Sequence, residues 1–353
     1  MHARIGAIGL LAVAAIMGPA VAAEAGGLHC GDTITTDVVL QQNLTCAGNA
    51  LRVEVAEGQV VHVDLNGHRL KGNGTGTGIG GRTVAANGRT GDLVVGNGTI
   101  VGFASAFLDA DSYDRVVQSL TLRNLRVLSN GRWLGARQKP KMLIENSSLV
   151  DSGRGGAGEE SRASLTVRNS KFVRSFIRSS DESLTFLTGN TFVQGGFDGG
   201  VFSNVTATGN TFSDCGTGIL MSYTFLGATT IDDNRFVRCG TGINLDAVTG
   251  TVSVQRNTFI ENTGAGMVLA RPESGLALTV ADNTFRRNGG DGLTANGTQY
   301  GAGPAPSLTV TGNVAVGNGG HGLDVSNVVD GGGNVARANG TPPDCIGVVC
   351  TKH

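Results

Sequence analysis

Hydrophobic positions recur along this chain in two rhythms. The short one is alternation. In Ser164–Asn169, Leu165 and Val167 point one way and Thr166 and Arg168 the other, the period of two expected of a strand with one buried face. The long one is a phrase: apolar-x-apolar-x-Asn, then Phe two or three positions later, then often Gly-x-Gly-apolar. Its Asn column runs Asn124, Asn146, Asn169, Asn190, Asn210, Asn234, Asn257, Asn283, Asn313 and Asn334, at intervals of 20 to 30 residues, with looser copies at Asn66 and Asn97. A period of that size marks a solenoid or array. No stretch carries a helix-length 3.6-residue pattern, which argues against helical or leucine-rich repeats. A propeller blade would need about 40 residues.

Each phrase predicts three short strands. Asn tolerates the left-handed conformation, so it suits the sharp corner after the first strand. Phe172, Phe192, Phe212, Phe236, Phe259 and Phe285 begin the second inward stretch. The third strand follows a Gly and places Ile219, Ile243, Met267, Leu293 and Leu323 in one column. Stacked strands repeat every ~4.8 Å, so about twelve coils make a rod of roughly 55–60 Å, with Asn and Phe forming ladders along it.

Composition agrees with many strands and many tight turns. Of 353 residues 57 are Gly, and only 16% are charged against a usual ~25%. The Gly has no three-residue period, which excludes collagen. The supply of Leu, Val and Ile excludes disorder. A formal net charge of −1 excludes the basic face that nucleic acid requires.

Residues 1–23 carry a basic start, an apolar run from Ile5 to Met17, a Gly18-Pro19 break and small residues at Ala20–Ala23, the pattern of a secretory signal peptide. No run is long enough to anchor in a membrane. The mature chain, 24–353, is expected to be one exported, monomeric domain: a cap and first coil over 28–60, coils over 61–340 and a disulfide tail over 341–353. Six Cys in an exported chain predict disulfides. Cys30 and Cys46 bracket the start, Cys345 and Cys350 the end. Cys215 and Cys239 share a place in neighbouring coils, but parallel Cβ vectors make that bridge difficult, and the sequence leaves it open.

The phrases "LTVRNSKF", "VTATGNTFSDCGTGI" and "VSVQRNTFIENTGAGM" resemble the repeats of right-handed parallel β-helix proteins of the pectin-lyase-like superfamily. The opening "CGDTITTDVVLQQNLTC" and the Cys-bracketed tail resemble secreted members from actinobacteria. The resemblance covers roughly residues 28–350. It implies an all-β, right-handed parallel β-helix, and it brings carbohydrate lyases, hydrolases and epimerases into view. Fold alone does not assign activity.

Several motifs fail on inspection. Gly320-His321-Gly322 and Asp232-Asp233 resemble elements of polygalacturonases, yet they stand close to four coils apart, too far for hydrolytic partners at under ~10 Å. Arg271-Pro272 has only a faint likeness to a pectate-lyase element. His29, His62, His68, His321 and His353 form no cluster with Met or Cys for copper.

The stronger candidate is positional. Charged residues collect in the connection after the third strand on consecutive coils, and stacking makes them neighbours. A catalytic reading uses Arg137, Lys139, Glu159 and Asp181, with Arg137 or Lys139 as a lyase base, or paired carboxylates for hydrolysis. Asp109, Asp111, Tyr113, Trp133, Glu160 and Glu182 would bind substrate, with Trp133 or Tyr113 as stacking platform and the acids able to hold Ca²⁺; no other cofactor is implied. Tyr223, Phe225, Asp246, Arg271, Glu273 and Tyr300 form a second surface on later coils. The expected partner is an extracellular or cell-wall polysaccharide; a non-catalytic structural, adhesion or carbohydrate-binding surface protein is the alternative.

Overall fold

The computed structural model describes residues 27–83, 91–107, 117–134, 141–157, 164–179, 183–223, 227–297 and 305–352; the expected leader lies outside them. Every regular element there is a strand, and every pairing is parallel. Eleven strands, from Val60–Asp64 to Ser307–Thr311, stack one per turn along a first wall. The count of about twelve included Asn334, whose partial turn starts at Val329–Gly332 and pairs with a register shift. No described helix is long and apolar enough to cross a membrane.

Inward columns from all three walls fill the interior. Phe172, Phe192, Phe212, Phe236, Phe259 and Phe285 stack on successive coils of the second wall, with ring centroids 4.6–5.0 Å apart and nearly parallel planes. Burying each side chain stabilises the fold by about 1.5–3 kcal/mol, and stacking adds ~0.5–1.5 kcal/mol per pair. The third wall repeats Ile177, Phe197, Ile219, Ile243, Met267, Leu293 and Leu323.

The first corner corrects the Asn column, which merges two adjacent positions. Asn124, Asn146 and Asn169 do hold the left-handed corner, with φ of 53°, 49° and 50°. From the next coil on, that place passes to Gly189, Gly209, Asp233, Arg256, Asp282 and Gly312, all at positive φ. The Asn moves one residue later, turns inward and forms a buried ladder. The backbone N–H and the Nδ2 of Asn190, Asn210, Asn234, Asn257, Asn283 and Asn313 each donate to Oδ1 of the Asn one coil on, over 2.9–3.3 Å. Ser170 and Ser147 extend the ladder to the Leu125 N–H. Side chains thereby satisfy corner amides that no strand partner reaches.

The second corner repeats the device. Asn262, Asn288, Asn318 and Asn339 form a shorter ladder ending on Asp344 Oδ1 in the tail. Cys215 and Cys239 occupy the same column and are bridged, with Cα atoms 4.3 Å apart. Each follows a left-handed residue, Asp214 or Arg238, so the pair sits on a corner rather than on a flat strand where Cβ vectors run parallel. Disulfides Cys30–Cys46 and Cys345–Cys350 close the two ends.

Replacing Asn257 by Ala strands the buried Asn234 N–H and removes the amide that donates to the Ile231 carbonyl. At ~1–3 kcal/mol per stranded group, the variant should lose about 3–5 kcal/mol in denaturant unfolding. Thr230→Ala on the outer face of the first wall should change stability by less than ~0.5 kcal/mol.

Candidate functional site

The third corner follows the strands Ser105–Phe107, Arg132–Leu134, Ser148–Ala157, Lys171–Ser179, Phe197–Gly199 and Thr217–Ser222. In chain order, the charged strip leaves from the first four of these. Asp109, Asp111, Tyr113, Arg137, Lys139, Glu159, Glu160, Asp181 and Glu182 lie outside the described residues, as do Phe225 and Tyr300.

Trp133 is described, and it corrects the stacking reading. It is 0% exposed, and its Nε1–H donates to the carbonyl oxygen of Phe176, two coils on, at 3.1 Å. A buried indole whose polar edge is committed to the backbone offers no face to a ligand.

The aromatic platform stands on later coils. The Phe202 N–H donates to the Tyr223 carbonyl at 3.3 Å, and the Tyr223 N–H to the Asp246 carbonyl at 3.1 Å, so the three residues adjoin on consecutive coils. Phe202 and Tyr223 are 39% and 45% exposed. Both hold a left-handed backbone, φ 58° and 56°. Bulky residues rarely adopt that conformation, which costs about 1–3 kcal/mol, and such outliers cluster at functional sites. The pattern missed Phe202 because no neighbouring coil repeats it.

Beside Tyr223, Arg271 grips Asp246 with two hydrogen bonds, Nε to Oδ1 and Nη2 to Oδ2, each 2.6 Å. The same guanidinium lies over the Tyr223 ring, 5.5 Å from its centroid, with Nη2 3.3 Å from the hydroxyl. Hydrogen bonding from Arg271 holds the Asp246 carboxyl below its usual range, and Asp246 in turn raises Arg271. A carboxylate held in its charged form is a poor general acid. Two residues before Asp246, the Asn244 Oδ1 is buried without a hydrogen-bond partner.

The remaining motifs serve turns. Asp233 is a left-handed corner, and Asp232 pairs with Arg256. The backbone N–H of His321 donates to Asp291 Oδ1 at 2.6 Å, and its ring Nδ1 sits 2.7 Å from the Pro343 carbonyl. Among the described residues no three His, Cys, Asp or Glu converge as metal ligands.

An open groove of about 670 Å³ crosses four coils at the first corner, along Asn124, Asn146, Asn169 and Gly189. Ser147 and Ser170 line its floor; Arg126, Ser148, Lys171 and Thr191 line one side.

This geometry agrees with the comparisons. The family described as "Right handed beta helix region" matches residues 112–247 and 176–334, and the chain belongs to it. The periplasmic alginate epimerase AlgG, as a double mutant, superposes over 86% of this chain and 77% of its own, at 14% identity and a TM-score of 0.50. The catalytic domain of a GH87 α-1,3-glucanase, solved with tetrasaccharides, covers 91% of this chain and 68% of its own at 13% identity and a TM-score of 0.35. Comparison with curated proteins found no match. At 14% identity the likeness to the epimerase is one of fold.

The Asp246–Arg271 pair sets a pH dependence. Asp246 has a lowered pKa in the folded chain, so its contribution is complete above the unfolded value of about 4 and is lost as pH falls through the folded value. Arg271→Gln should lower the melting temperature at pH 7, and the gap from the native chain should narrow as pH falls below about 4.

Proposed function

We propose that this is a secreted protein that engages an extracellular or cell-wall polysaccharide along the third corner. The observation that carries this reading is the exposed, backbone-strained pair Phe202 and Tyr223 on adjacent coils, with Arg271 fixed over the Tyr223 ring by Asp246. Flat aromatic faces stack against the apolar faces of sugar rings, while guanidinium and carboxylate edges meet hydroxyls. The three disulfides support an oxidising compartment, as the leader at 1–23 suggests. The carbohydrate-acting epimerase of like fold adds support at the level of the fold.

Binding is the activity assigned to the described surface, whose carboxylate is already committed to Arg271. Conversion of the bound glycan, by lyase or hydrolase chemistry, would fall to Arg137, Lys139, Glu159 and Asp181, which leave the same corner on earlier coils. Calcium enters only through the acids of that strip.

A screen of polysaccharides over the mature chain, with and without Ca²⁺, tests both parts. It should follow retention, unsaturated-product absorbance and new reducing ends in parallel. Tyr223→Ala should weaken retention about tenfold, equivalent to ~1.4 kcal/mol. Retention without product would make the protein a binder; product lost in Arg137→Ala or Asp181→Ala would make it an enzyme. Unchanged retention by Tyr223→Ala would remove the site.

A further inference from the structure

We infer that the first-corner groove is a second, separate binding site, for a linear acidic glycan whose carboxylate or sulfate groups meet Arg126 and Lys171. The two cations share one outward column. Arg126 pairs in register with Ser148, and Ser148 with Lys171, so they stand two coils, or about 10 Å, apart on one side of the groove.

Their lack of partners sets them apart from their neighbours. On the same coils, Arg168 is held by Glu145 and Arg174 by Asp151. Arg126 and Lys171 are exposed, and neither has a carboxylate partner among the described residues. No carboxylate lines the groove at all. Arg69 and Arg235 continue this outward column beyond the groove; Arg126 and Lys171 are its two cations that line the groove.

The spacing selects the ligand. In an extended two-fold chain of sugar acids, every second residue presents its acid group on the same side, and one sugar advances the chain by close to one coil. An acid group at Arg126 and the next at Lys171 then bracket one intervening sugar above Ser148. Asn146, Asn169 and Thr191 offer that chain amide and hydroxyl groups, which donate and accept as sugar hydroxyls require. The lining contains no aromatic ring on which a base could stack, so single-stranded nucleic acid fits poorly.

Calorimetric titration of the mature chain with oligogalacturonate and oligoguluronate hexasaccharides tests this, with cellohexaose and polyphosphate as controls. The Arg126→Ala/Lys171→Ala double variant should bind the acidic hexasaccharide at least tenfold more weakly. Ser148→Glu, which sets a carboxylate between the cations, should do the same. Both variants should melt as the native chain does, and Tyr223→Ala should retain the acidic binding, which separates this site from the third corner. Unchanged affinity in both groove variants, no binding of any acidic hexasaccharide to the native chain, or equal binding of polyphosphate would overturn the assignment.

Discussion

Everything in this molecule depends on one constraint: each side chain inside a coil must satisfy the copy of itself one coil away. Strand pairing supplies hydrogen bonds along the walls but stops at each corner, where amides would otherwise be buried unpaired. The Asn ladder removes that cost at the first corner and a shorter ladder does so at the second. A single Asn amide gives to the coil ahead and to a carbonyl of the coil behind, as Asn234 does toward Asn257 and Ala207. The Phe stack obeys the same rule with apolar groups. Each interior column keeps its chemical class, apolar along the third wall and hydrogen-bonding at the first corner, and wider variation moves outward.

That displacement explains where functional chemistry can sit. The first two corners are fixed by their ladders, and only their outward residues differ from coil to coil. Among the described residues the third corner shows no Asn ladder, and by sequence its connections are of unequal length. Phe202 and Tyr223 stand there on adjacent coils, and of the third wall's two pairs, Arg178–Asp198 and Arg271–Asp246, the second also seats its guanidinium over the Tyr223 ring. Elsewhere Asp151–Arg174, Asp214–Arg238 and Glu261–Arg287 recur at the same second-corner step, which marks them as part of the stacking rather than of a site.

Periodicity made the walls, the Phe column and the solenoid legible, because packing forces those positions to repeat. It could not resolve a one-residue offset: Asn is good both at a left-handed corner and as a ladder amide, so Asn169 and Asn190 align although they do different work. Trp133 was misread because its neighbours in sequence are charged, while its burial depends on contacts two coils away. Tyr223, Asp246 and Arg271 were visible as polar and aromatic residues in a variable connection, but the guanidinium seated on the ring was not. The groove escaped notice because its lining comes from four coils that only the stacking brings together.

The claim that glycan runs across coils at the third corner is tested most directly by a crystal structure of the mature chain with an oligosaccharide retained in the screen. The account predicts sugar rings stacked on Phe202 and Tyr223, with hydroxyls within hydrogen-bonding distance of Arg271 or Asp246. A glycan seated instead on the outer face of the first wall, with both aromatic rings bare, would contradict it.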